Sequence, residues 1–144
     1  MTMTQEEKEL LFKDLCGRLP YCLKFDAGTI NPIHTLQTIY TDVETHVVEF
    51  MDEIGFSFEF DDIKPYLRPM SSMTTEEICK IENIIGDGFT YRDEMLSLNI
   101  EEIIRIPIYK MSNLMQFMYL RHLDFNNLIP MGLALPAPEG MYND

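Results

Sequence analysis

Ile63-Lys64-Pro65-Tyr66-Leu67-Arg68-Pro69-Met70-Ser71-Ser72-Met73-Thr74-Thr75-Glu76-Glu77 divides the chain into strand-like sequence before it and helix-like sequence after it. Its two prolines fix φ and bias the residues ahead of them away from the helical region. The stretch is therefore expected to run extended over the surface until a helix begins at Thr74. Thr74 and Glu77 have capping-box spacing, and Met73 and Ile78 stand where a hydrophobic staple needs them. Ile78, Ile81 and Ile85 then form an apolar stripe, and Gly86-Asp87-Gly88 stops the helix.

Upstream, Thr4 and Glu7 form another capping box, and Phe12, Leu15, Cys16 and Leu19 recur at helical spacing, which predicts a helix over about 5–18. Pro20 ends it. Residues 21–26 alternate as a half-buried strand does, and 27–32 read as a turn from Gly28 and Asn31-Pro32. Residues 33–41 and 44–50 are rich in β-branched and aromatic side chains. Phe56, Phe58 and Phe60 alternate with Ser57, Glu59 and Asp61. Together these predict a four-strand antiparallel meander over about 21–62, with the first helix on its apolar face and carboxylates on the other.

Downstream, 93–98 read as one or two helical turns, and Asn99 with Glu102 as the start of a short helix limited by Pro107. Met111, Leu114, Met115 and Met118, widened by Phe117 and Leu120, predict a helix over about 112–123 that packs on more than one side, either inside the core or against a second copy. The proline-rich, apolar segment 128–138 suggests that 124–144 lies over the core as an extended strap. The expected fold class is α+β. One domain spans 1–144, with a helical region over about 74–123.

The 144 residues are enough to bury roughly 70% of the unfolded surface in one domain. Formal net charge is −13, which argues against direct binding to nucleic acid or to anionic membrane, since both need lysine and arginine against phosphate. The charge is also uneven. No Lys or Arg occurs from Phe25 to Ile63, where Asp26, Asp42, Glu44, Glu49, Asp52, Glu53, Glu59, Asp61 and Asp62 all fall. Cys16, Cys22 and Cys79 lack zinc spacing and are odd in number, so they read as reduced, mostly buried thiols in a cytoplasmic protein. Of the eleven methionines, most are expected in the core.

Three segments, TQEEKELLFKDLCGRLPY (4–21), IKPYLRPMSSMTTEE (63–77) and HLDFNNLIPMGLALPAPEGMY (122–142), resemble small uncharacterised proteins of Bacteroides-type gut bacteria and their phages or prophages. The chain departs from that pattern at Phe117, where those proteins tend to have Trp, and at Asn126-Asn127, where they tend to have Arg-Gly. The resemblance implies a setting, that of a phage or mobile-element accessory protein that binds and inhibits a host factor such as a defence protein. It implies no catalytic residue and no cofactor.

His34 and His46 with Asp42 and Glu44 match no metal motif and read as ordinary strand histidines. Ser71 and Ser72, with His122 as a base, are better explained by turn chemistry before a helix cap. Two functional readings come ahead of catalysis. In the first, Asp42, Glu44, Glu49, Asp52, Glu53, Glu59, Asp61 and Asp62 form an acidic face that docks on a basic host protein, with a homo-oligomer contact available through the helix at 112–123. In the second, Tyr66, Arg68, Arg92 and Arg105 hold a nucleotide or similar small molecule in a pocket between subunits, although packing of Tyr66 and pairing of Arg68 with a carboxylate of the acidic sheet is the favoured reading of those two. A small enzyme ranks third.

Overall fold

A computed structural model describes residues 3–42, 44, 47–86 and 107–142, and the backbone of 89–92 and 95–98. The order is α1 (Gln5–Arg18), β1 (Lys24–Asp26), β2 (His34–Asp42), β3 (Val47–Asp52), β4 (Ser57–Phe58), β5 (Lys64–Leu67), α2 (Thr75–Ile85), β6 (Phe89–Arg92), β7 (Met95–Leu98), α3 (Ile108–Leu120) and β8 (Leu135–Pro136). The fold is α+β, as expected, with six strands in the main sheet ordered β4-β3-β2-β1-β5-β8.

The β1–β4 meander forms, and the dividing stretch extends it. Residues of β5 pair antiparallel with β1 (Phe25 opposite Pro65) and parallel with β8 (Tyr66 opposite Leu135). Lys64–Leu67 is extended as expected, but as a strand inside the sheet rather than a surface strap, and a 3-10 turn at Met70–Ser72 breaks the extended run before α2. Of the alternating segment 56–61 only Ser57–Phe58 is strand. Glu59 and Asp62 cap each other's backbone around a single 3-10 turn at Phe60–Asp62, which ends the alternation, and Phe56 is left exposed.

Both capping boxes are present. Thr4 and Glu7 exchange hydrogen bonds of 3.1 and 2.9 Å, and Thr74 and Glu77 exchange bonds of 3.2 and 3.0 Å. The buried face of α1 differs from the predicted one. It consists of Leu11, Asp14, Leu15 and Arg18, while Cys16 points outward with Cys22 and Cys79. Asp14 and Arg18 turn inward together, so the helix is rotated relative to its hydrophobic pattern. In α2, Ile81 and Ile85 are buried as expected, with Glu77 rather than Ile78 completing the stripe.

Residues 95–98 form β7, paired antiparallel with β6, and not helical turns. Phe89-Thr90-Tyr91-Arg92 is strong strand sequence, and pairing with it overrides the weak helical pattern beyond. The short helix expected at Asn99–Glu102 falls outside the described residues. The last helix begins at Ile108, earlier than expected, with Pro107 as its N-cap, a place where a missing N–H costs nothing.

Two apolar clusters result. Leu11 and Leu15 of α1 pack with Leu23, Phe25, Leu36, Phe50, Ile63 and Leu67 of the sheet, closed by Leu128 and Leu133. Ile81, Ile85, Leu114, Met118 and Leu123 join α2 to α3. The C-terminal segment straps both. Arg68 donates its amide to His122 O (2.7 Å), Asp124 donates its amide to Arg68 O (2.8 Å), and the Tyr142 hydroxyl donates to Tyr66 O (2.7 Å). Burial pushes the Tyr142 phenol well above its ordinary range.

Candidate functional site

The acidic residues do not share one flat face. Glu49, half-buried, stands opposite Tyr40 within the β2–β3 ladder, whereas the others sit at strand ends and turns. The carboxylate of Asp42 accepts the Glu44 amide at 2.9 Å. Glu53 Oε2 accepts the Thr35 amide at 2.7 Å, and Asp61 Oδ1 accepts the Met3 amide at 3.1 Å. Asp42 is thus engaged in local turn chemistry, whereas Glu53 and Asp61 hold amides 18 and 58 positions away.

Asp52 is a correction to the docking face, because it is only 2% exposed. Its Oδ1 accepts the amides of Ile54, Gly55 and Phe56 at 3.0, 2.8 and 2.8 Å, closing the β3–β4 turn, and its Oδ2 meets His34 Nδ1 at 2.9 Å. Burial alone would raise the Asp52 pKa. The hydrogen bonds from His34 and the three amides outweigh it and hold the carboxyl below its ordinary value.

His34 Nε2 lies 2.8 Å from Thr29 Oγ1, and that hydroxyl is also 2.6 Å from Asn31 O. Since an ionised carboxylate only accepts, Asp52 fixes the His34 proton on Nδ1. The hydroxyl then donates either to a neutral imidazole or to the Asn31 carbonyl, and both protonation states of the ring are satisfied by one heavy-atom frame. The connectivity resembles a nucleophile–base–carboxylate relay. Its partners are instead explained by anchorage: the ring sits between Phe25 (5.4 Å, stacked) and Phe58 (5.1 Å, edge-on) and ties loop 27–33 to turn 53–56. His46 lies outside the described residues. Among those described, no group of three or more metal-ligating side chains comes together.

Arg68 does not pair with the acidic sheet. Its guanidinium grips Glu77 of α2 with two bonds of 2.8 and 2.7 Å, and also donates to Ser72 O at 3.1 Å. Arg121 Nε adds a third contact to the same carboxylate at 2.8 Å. The Arg68 bonds, helped by the Thr74 amide and Arg121 against the opposing effect of burial, pull the Glu77 carboxyl down to about 2. A cleft of about 730 Å³ opens beside this clamp, bounded by Pro69, Ser72, Arg121, Glu139 and Tyr142. Both arginines at its wall already serve Glu77.

Tyr66 has a separate partner, donating its hydroxyl to Pro32 O at 3.2 Å, so Tyr66 and Arg68 do not converge on one ligand. Arg92 is described only in its β6 backbone, and Arg105 lies outside the described residues. Ser72 donates to Pro69 O at 2.7 Å, and the His122 ring stacks on Tyr142 at 3.7 Å, which supports turn and packing roles for both.

The sequence reading missed the most deeply buried charge. Arg18 Nε and Nη2 bond Asp14 at 2.6 and 3.0 Å, Nη2 reaches Leu123 O at 2.6 Å, and the guanidinium lies 5.3 Å from the centres of both Tyr119 and Phe125. Asn126 Nδ2 completes the group on Asp14 at 2.8 Å. The available signal was the i, i+4 spacing of Asp14 and Arg18, which ordinarily marks a solvated helix face.

Arg18, Arg68 and Arg121 are thus used internally. Among the described residues, Glu44, Glu49, Glu53, Glu59, Asp61 and Asp62 form no ion pair with any cation, and all but the half-buried Glu49 are exposed. No described helix is long and apolar enough to cross a membrane. Compared with protein-family models, curated proteins and solved structures, the chain matches none.

Proposed function

We propose that this protein works by binding and not by catalysis, docking Glu44, Glu49, Glu53, Glu59, Asp61 and Asp62 onto a basic surface of a host protein and inhibiting it in the cytoplasm. One observation carries the reading: among the described residues these carboxylates have no cationic partner, while Arg18, Arg68 and Arg121 are taken up by Asp14 and Glu77. Structural demand accounts for where the arginines go, and leaves unpaired carboxylates at both ends of the β2–β3 ladder, Glu44 beyond the Asp42–Val47 end and Glu53 beyond the Leu36–Asp52 end, which gives this part of the sheet a negative field. Such a field steers a basic partner and penalises an acidic one. The resemblance to phage and prophage proteins supplies the setting, an accessory protein acting on its host. No cofactor is required. Sequestration of a nucleotide is disfavoured by the Glu77 clamp, which already occupies Arg68 and Arg121.

Capture from host lysate tests the proposal, with the native protein compared against Glu44→Gln/Glu49→Gln/Glu53→Gln/Glu59→Gln. Glutamine keeps an acceptor oxygen for the Thr35 and Asp62 amides, so the turns persist while the charge is lost. The expected result is a basic protein held at low salt by the native chain, released as salt rises, and not held by the variant. Equal capture by both, or strong thermal stabilisation of the native chain by a nucleotide, would overturn it.

A further inference from the structure

The chain separates charge by position. As 26–62 lack cations, so 103–123 lack any Asp or Glu. Within that acid-free interval α3 exposes Ile108 (87%), Met111 (43%) and Met115 (41%), spaced i, i+3 and i+7, flanked by exposed Tyr109 and Leu120. The remaining exposed residues of α3 are Ser112, Asn113 and Gln116, so every exposed residue of the helix is uncharged. Its one charged side chain, Lys110, is half-buried and directs Nζ towards Ile85 O at 3.4 Å. The inner side of the helix, Leu114 and Met118, is already used against α2. The apolar arc therefore continues past the part the fold buries.

We propose that α3 is a self-association surface on which two copies of this chain meet about a two-fold axis. The charge distribution selects this occupant. A molecule of net charge −13 repels its own copy almost everywhere, and α3 offers a face that brings no carboxylate of its own against the partner copy. A basic partner gains nothing from α3 itself, whose exposed residues carry no negative charge. Antiparallel pairing across the stripe sets Ile108 of one protomer near Met115 of its partner, with the small Ser112 near the midpoint where the helices approach. This is an isologous contact, in which the same patch serves both sides. Met111 and Met115, which the sequence assigns either to the core or to a contact with a second copy, adapt well to such a shared surface. A single helix face is small for an interface, so the dimer is weak and reversible.

Salt separates this contact from acidic docking. Rising ionic strength screens the repulsion between copies and leaves the apolar contact intact, so self-association strengthens where docking on a basic protein weakens. The inference stands apart from the proposed function, and the two fail independently. Sedimentation of the full chain over a concentration series, from about 20 mM to about 500 mM salt, reads it directly. The expected result is a shift from 16.9 kDa towards twice that mass, with a dissociation constant falling about tenfold or more as salt rises. Met115→Glu sets a carboxylate against the apolar Ile108 of the partner copy, once on each side of the axis, and is expected to weaken the dimer by about tenfold or more while leaving helicity and Tm unchanged, because the side chain is exposed. Met115→Ser is expected to weaken it less. A native monomer throughout the series, undiminished dimerisation of Met115→Glu, or a dimer that dissociates as salt rises would overturn the inference. So would Met115-dependent binding of the native monomer to phosphatidylcholine vesicles, which would assign the face to lipid.

Discussion

Replacing Glu77 with Gln tests the clamp that joins β5, α2 and the end of α3. The Glu77 carboxyl is held at about 2 in the folded protein against an ordinary 4.5, chiefly by Arg68. At about 1.4 kcal/mol per pH unit of separation, that corresponds to roughly 3 kcal/mol. Arg68 and Glu77 are 19% and 5% exposed and screen little, whereas Arg121 is 36% exposed and its share is discounted, giving an expected loss of about 2–3 kcal/mol at pH 7. Because the folded pKa is depressed, this stabilisation is complete above about 4.5 and is lost as pH falls towards 2. Denaturant unfolding followed by circular dichroism at several pH values reads the difference between native and Glu77→Gln, which cancels the other carboxylates. The difference is expected to be largest at pH 7, to begin shrinking below about 4.5 and to approach zero near 2. A difference independent of pH, or one below about 0.5 kcal/mol at neutrality, would refute the assignment.

Gly17→Ala is expected to destabilise by about 1–3 kcal/mol although alanine favours helices by about 1, because the added Cβ falls on the Tyr119 ring, which is held against Phe125 and Arg18; thermal unfolding checks the sign. Arg18→Met alone is expected to cost about 3–5 kcal/mol by stranding the buried Asp14 carboxylate, and Arg18→Met/Asp14→Leu much less, which a double-mutant cycle measures. Asp52→Ala is expected to cost about 1–3 kcal/mol and to speed amide exchange selectively at Ile54, Gly55 and Phe56, whose amides it accepts; uniform exchange across the sheet would contradict this.

Local chemistry was legible wherever it was self-contained. Thr4 with Glu7 and Thr74 with Glu77 announce their helices because both partners lie within one turn, and the meander follows from short alternating strands joined by turn residues. Long-range pairing was not legible. Pro65 and Pro69 correctly specify an extended chain, but nothing near them indicates that β1 and β8 will flank it. Glu77 looked complete as a capping residue, and its second role depends on Arg68 and Arg121, 9 and 44 positions away. The same limit hid Arg18, whose burial rests on Tyr119, Leu123, Phe125 and Asn126 far along the chain. At the candidate site, the acidic interval was evident from composition. Which carboxylates are taken up by turns and which remain exposed required the fold, and Asp52 changed category entirely.

Carboxyl footprinting of the protein, free and with the partner captured from host lysate, tests the acidic docking surface most directly. The account predicts protection of Glu44, Glu49, Glu53 and Glu59 on binding, with the exposed Glu76 and Glu139 unchanged and buried Asp52 and Glu77 unreactive in both states. Protection centred on Glu76 and Glu139, with Glu44 to Glu59 still reactive in the complex, would contradict it.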